Sequence, residues 1–108
     1  MANEVVLTDA NFNDEVKNTK GLVLVDFYAD WCMPCRMLAP TIEKIAEEYV
    51  GRVKVGKLNV DANFATASQF SVSGIPTIML FKDGAMAERL VGLQTLDVLK
   101  GVINKHIS

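Results

Sequence analysis

Cys32 and Cys35 stand three residues apart and are the only cysteines in the 108-residue chain. A bridge between them would close almost no loop, so it would stabilise the fold little by constraining the unfolded chain. Reactivity or metal binding explains such a pair better than stapling. A closed tetrahedral zinc site takes four ligands, and the chain adds one histidine, His106, far along the sequence. No metal is therefore expected within one chain, and only a site shared between two chains would complete the ligand set. His106 reads instead as a charge at a helix end. The bland alternative for the cysteines is inert packing, since free cysteine is often buried. A second candidate is Asp26, which interrupts the apolar run Leu22 to Tyr28, LVLVDFY. An ionised carboxylate is costly there. Burial would raise its pKa and let it hold or shuttle a proton for Cys35. Lys57 is its candidate partner, the alternative being a structural polar pair outside the chemistry.

The elements that must position these groups follow from periodicity. Val5 to Leu7 reads as a short strand, and Thr8 as the N-cap of a first helix ending near Asn18. Leu22 to Tyr28, β-branched and aromatic and apolar on both faces, reads as a central strand covered on both sides. From Cys32 to Tyr49, Leu38, Ile42, Ile45, Ala46 and Tyr49 follow helical spacing, and Glu43, Lys44, Glu47 and Glu48 take the solvated face. Pro40 should kink that helix, and Gly51 lies just past its end. Val53 to Val60 is the next strand, Asn63 to Phe70 a short helix. Thr77 to Lys82 and Met86 to Val91 flank Asp83-Gly84, a hairpin signal. Thr95 caps a last helix with Leu96, Leu99, Val102 and Ile103 in one stripe. The order is βαβαβαββα, an α/β chain with a central mixed sheet, a right-handed parallel crossover in its middle, and helices on both faces. No repeat or linker divides it, so residues 1–108 are expected to form one domain.

This layout places Trp31-Cys32-Met33-Pro34-Cys35 between the end of the central strand and the start of the long helix. The first N–H groups of a helix lack internal partners, and its dipole puts partial positive charge there. A thiolate at Cys32 is stabilised by both, so Cys32 should be the acidic, attacking sulfur. Residues three apart share a helix face, which lets the sulfurs join as a disulfide. Pro34 suits the first turn, where its missing N–H costs nothing. Cys35, one turn deeper, is expected to be more buried and less acidic, and to resolve the mixed disulfide.

Composition excludes several other classes. Half the residues are hydrophobic and 22% charged, which is globular composition. A net charge of -2 argues against nucleic acid as the main partner, because phosphate binding draws on clustered Lys and Arg. No apolar stretch exceeds four residues, as at Leu22 to Val25, against the ~20 of a membrane span. The opening MANEVVLTDAN reads as neither secretory signal nor transit peptide, so a soluble, cytoplasmic protein is expected.

The stretches VLVDFYADWCMPCRMLAP at 23–40, KLNVDAN at 57–63 and SVSGIPTIMLFKDG at 71–84, with Val91-Gly92, resemble the thioredoxin family across essentially the whole chain. The resemblance implies the thioredoxin fold and a monomeric protein-disulfide reductase, a redox carrier in electron transport and cell redox homeostasis. It needs no cofactor beyond the redox-active disulfide. Its partners would be a thioredoxin reductase, which recharges it, and client proteins bearing disulfides. It implies that Asp26 is buried behind the active site and that Pro76 is a cis-proline facing the sulfurs. It also implies that Trp31, Met33, Pro34, Gly74, Ile75, Pro76, Val91 and Gly92 form a flat apolar rim that binds substrate, with the Ile75 backbone free to pair with an extended client strand. Two positions depart from the pattern. Met33 replaces the usual Gly between the cysteines, which bears on reduction potential and client preference, and Tyr28 stands where many relatives carry Trp. Two rivals are a thiol oxidase or isomerase, against which Pro34 weighs, and a non-catalytic binding module, against which the retained cysteines weigh.

Overall fold

The computed structural model describes residues 3–107. Its strands are β1 (Glu4–Leu7), β2 (Leu22–Tyr28), β3 (Val53–Asn59), β4 (Thr77–Lys82) and β5 (Ala85–Val91), and its helices are α1 (Met33–Glu48), α2 (Phe64–Gln69) and α3 (Leu96–His106). The strands form one sheet in the order β1-β3-β2-β4-β5. β1 and β2 run parallel to β3, while β4 is antiparallel to both β2 and β5. β2 thus lies at the centre, and its residues Leu22 to Phe27 are all buried, as an apolar strand with two covered faces must be. On one face Leu22, Leu24, Val53, Val55, Ile78 and Leu80 pack under α1 and α3. On the other, Val23, Val25, Phe27, Leu58, Met79 and Phe81 pack with Phe12, Val16 and Phe70.

The first helix differs from expectation. Thr8 and Asn11 do exchange capping bonds, Thr8 Oγ1 accepting from the Asn11 N–H (3.1 Å) and Asn11 Oδ1 from the Thr8 N–H (2.7 Å). The segment Asn13–Lys17 is nevertheless a π-helical turn, closed by the Asn18 N–H on the Asn13 carbonyl at 2.9 Å. Burial of Phe12 and Val16 against the sheet outweighs the local preference for α spacing. α1 runs as one helix through Pro40, whose ring nitrogen leaves the Arg36 carbonyl without its usual helical donor. At the Asp83-Gly84 turn both residues have positive φ, 51° and 87°, the requirement of a tight hairpin. A side chain at position 84 would collide with the Lys17 carbonyl, so glycine is required there twice over. Asp83 also accepts from the Gly21 N–H (2.7 Å), tying the hairpin to the start of β2.

Candidate active site

Cys32 is the N-cap of α1. Its backbone is extended (φ -84°, ψ 111°) and its Sγ accepts the Cys35 N–H at 3.2 Å. One of the helix's unpaired donors is thereby spent on the sulfur, and this would stabilise a thiolate at Cys32. The two sulfurs are joined in a disulfide, with Cα atoms 5.2 Å apart, within the range that a bridge tolerates. Burial does not divide the pair as expected: Cys32 is 4% and Cys35 3% exposed. The Cys32 N–H donates to the Ala29 carbonyl at 3.2 Å, and Ala29, Tyr28, Val60 and Ile75 pack with both cysteines, so the N-cap position is as enclosed as the first turn. A difference in reactivity must come from the helix terminus.

The segment preceding β4 closes the site from the other side. The Ile75–Pro76 bond is cis, and the Ile75 carbonyl oxygen lies 3.7 Å from Cys32 Sγ. The Ile75 N–H donates to no group among the described residues. The Pro76 carbonyl accepts the Gly92 N–H at 2.8 Å, which joins this segment to the end of β5. A Cβ at Gly74 would stand 3.1 Å from Val91 Cγ1, so glycine lets these two loops approach.

The expected rim is only partly a surface. Trp31 is 70% and Met33 60% exposed, and Pro34 and Val91 are exposed as well. Gly74, Ile75 and Gly92 are half-buried. Pro76 is buried and is corrected from rim to floor: its hydrogen-bonded carbonyl and the flanking β4 draw it inward. Trp31 is no core filler, because its Nε1–H donates to Asp61 Oδ2 at 2.9 Å and holds the ring at the surface. Two contributors escaped the sequence reading. Asp61 gives no signal in sequence, whereas exposed Met37 stands one helical turn from Met33, a spacing that could have revealed it.

Asp26 and Lys57 are directly opposite each other in the β2–β3 register. They form no ion pair among the described residues, and Asp26 Oδ1 has no hydrogen-bond partner, so the expected pairing is replaced by a charge acting at a distance. Asp26 is 5% exposed. Burial first, then the negative charge of Glu4, push its pKa up to about 7 against the opposing pull of Lys57. It lines a cavity of about 490 Å³ together with Cys35, Lys57 and Glu4, roofed by Ala39 and Glu43 of α1. Carboxyl and Cys35 therefore line one open cleft. His106, by contrast, lies at the end of α3 with its Nε2 2.8 Å from Glu88 Oε2, a helix-end contact as expected. Among the described residues no group of three or more His, Cys, Asp or Glu could hold a metal ion, and no helix is long and apolar enough to cross a membrane.

The family model named Thioredoxin matches residues 3–105. The thioredoxin of Staphylococcus saprophyticus is 46% identical over 103 residues, covering 95% of this chain and 97% of its own. Thioredoxin 1 of Synechococcus elongatus is 44% identical over 107 residues, covering 99% of this chain and 100% of its own. Among solved structures, a point mutant of thioredoxin from Halobacterium salinarum NRC-1 superposes with a TM-score of 0.89 at 42% identity, over 97% of this chain and 91% of that one.

Proposed function

This chain belongs to the thioredoxin family and is a protein thiol–disulfide oxidoreductase, and we propose that Cys32 attacks the client disulfide and Cys35 resolves the product. The observation that carries this division is the Cys35 N–H pointing at Cys32 Sγ at the N-terminus of α1. In the reduced protein the Cys32 thiolate forms a bond to one client sulfur as the client's S–S bond breaks, and the other client sulfur leaves as a thiolate. Cys35 then gives up its proton, and its sulfur attacks Cys32 Sγ. The Cys32–Cys35 bond forms, the second client sulfur departs, and each client thiolate takes a proton. Two electrons have passed to the client.

Asp26 is the acceptor of the Cys35 proton. A carboxyl with a pKa of about 7 is half ionised near neutrality, close to the optimum for a base working there. Lys57 holds it from rising further. The rim of Trp31, Met33, Pro34, Val91 and Gly92, with Gly74 and Ile75 between, receives an extended client segment, the unpaired Ile75 N–H offering a strand-like hydrogen bond. Pro76 forms the floor against the sulfurs. The domain, residues 1–108, works as a cytoplasmic monomer without a bound cofactor. A thioredoxin reductase returns two electrons to the disulfide, and the protein thereby serves electron transport and redox homeostasis.

Insulin reduction driven by dithiothreitol tests the assignment. The parent should accelerate precipitation of the insulin B chain. Cys32→Ser should fall to the rate of dithiothreitol alone while keeping its fold by circular dichroism. Substantial turnover by that variant would overturn the assignment.

A further inference from the structure

The β-strand register places three charged side chains on one face of the sheet. Lys57 is opposite Asp26 on β2 and opposite Val6 on β1, so Glu4, one pleat repeat before Val6, projects to the same side as both. That side carries Leu24 and Val55 under α1, which confirms the direction. Glu4 is half-buried and lines the cavity that holds Asp26, Lys57 and Cys35. It lies on the outer strand, while Asp26 is on the central strand beneath the helix.

We propose that Glu4 is a positioning residue for the resolving half-reaction: its carboxylate, at the β1 side of the shared cavity, sets how readily Asp26 takes the Cys35 proton. The inference rests on Asp26 being that acceptor. Among the described residues, the groups facing the cavity are Glu4 from β1, Lys57 from β3, Tyr28 and Asp30 from the end of β2 and the turn after it, and Arg36 and Glu43 from α1. Arg36 and Asp30 are exposed and screened by water, and Glu43 and Tyr28 are half-buried. After burial itself, Glu4 and then Lys57 are the influences felt at Asp26, with opposite signs. Asp26 Oδ1 has no hydrogen bond among the described residues, so burial sets its protonation state first and the charges around the cavity adjust it. A negative charge at Glu4 strengthens Asp26 as a base, and the proton passes from Cys35 Sγ to that carboxylate as the Cys35 sulfur closes on Cys32.

The test reads the Asp26 side-chain carboxyl by carbon-13 NMR titration, alongside the pH profile of insulin reduction, in the full chain. Glu4→Gln should move the Asp26 midpoint toward acid by about half a pH unit, a roughly threefold change in the ratio of protonated to ionised carboxyl at fixed pH. The inflection of the rate profile should move with it. Lys57→Met should move both the opposite way, and Glu4→Asp should restore the parent's behaviour. Glu4→Gln added to Asp26→Asn should change nothing further. An unmoved Asp26 midpoint in a folded Glu4→Gln protein would overturn the proposal while leaving Asp26 as acceptor. A moved midpoint with an unmoved rate profile would overturn it too, and would remove Asp26 from the reaction. A merely structural Glu4 would lower stability and move neither midpoint nor profile.

Discussion

On the sheet face turned toward α2, the rings of Phe12, Phe70 and Phe81 meet edge-on or tilted, with centroids 5.4 to 5.9 Å apart, while the face under α1 holds an ionisable carboxyl beside a cavity. The buried polar groups of the two regions are treated differently. Thr66 Oγ1 donates to Asp9 at 2.6 Å, and Thr77 Oγ1 bonds the Gly74 carbonyl, so each buried hydroxyl is satisfied. Asp26 Oδ1, under α1, has no partner. Leaving a buried acceptor unpaired costs about 1–3 kcal/mol. Among the described residues, the fold accepts that cost where Cys35 lies and not beside the aromatic cluster. Both faces carry buried apolar core, but the unsatisfied carboxyl sits on the one that also lines the cavity with Cys35.

Three substitutions probe the contrast. Phe81→Ala removes a fully buried ring from the aromatic face and should cost about 3–5 kcal/mol in urea unfolding, with turnover per folded molecule unchanged. A loss of turnover in the fraction still folded would break the separation of the two faces. Asp26→Ala should act in the opposite direction. The folded pKa is raised from 3.8 to about 7, so the unfolded chain releases this proton first as pH rises, and the parent loses stability across that window. Below pH 3.8 both states are protonated and that contribution vanishes. The variant should therefore be more stable by about 2–4 kcal/mol at pH 8, lose that advantage at pH 3, and exchange disulfides more slowly. A stability difference that stays constant with pH would contradict burial of the carboxylate as its cause. Met33→Gly should have the smallest effect. Met33 brings no charge or hydrogen bond to the sulfurs, so the reduction potential should move by no more than roughly 30–40 mV, about 1–2 kcal/mol for two electrons. The parent should lie within a similar distance of the general thioredoxin value of about -270 mV. A parent potential near about -120 mV would make the protein an oxidant.

The sheet and helices were legible because their signals are local and strong. LVLVDFY, β-branched and aromatic, reads as a strand covered on both sides, and Asp83-Gly84 between two apolar runs reads as a hairpin. The π-helical turn at Asn13–Lys17 was not legible, since burial of Phe12 and Val16 settles it from outside the segment. In the site, the cysteines announced themselves by spacing and Asp26 by its apolar neighbours. Glu4 and Asp61 carried no such mark: one acts from two strands away and the other holds Trp31 from a loop. The expected burial difference between the cysteines failed because sequence shows the turn of a helix but not the Tyr28, Val60 and Ile75 side chains that pack on its N-cap.

The central claim is that the terminus of α1, and not exposure, divides labour between two sulfurs that are equally enclosed. Iodoacetamide alkylation of the freshly reduced protein at pH 7, followed by peptide mapping over time, tests it directly. The account predicts modification of Cys32 at least about tenfold faster than Cys35, as a lowered thiol pKa at a helix N-terminus requires. Equal rates, or Cys35 reacting first, would contradict it.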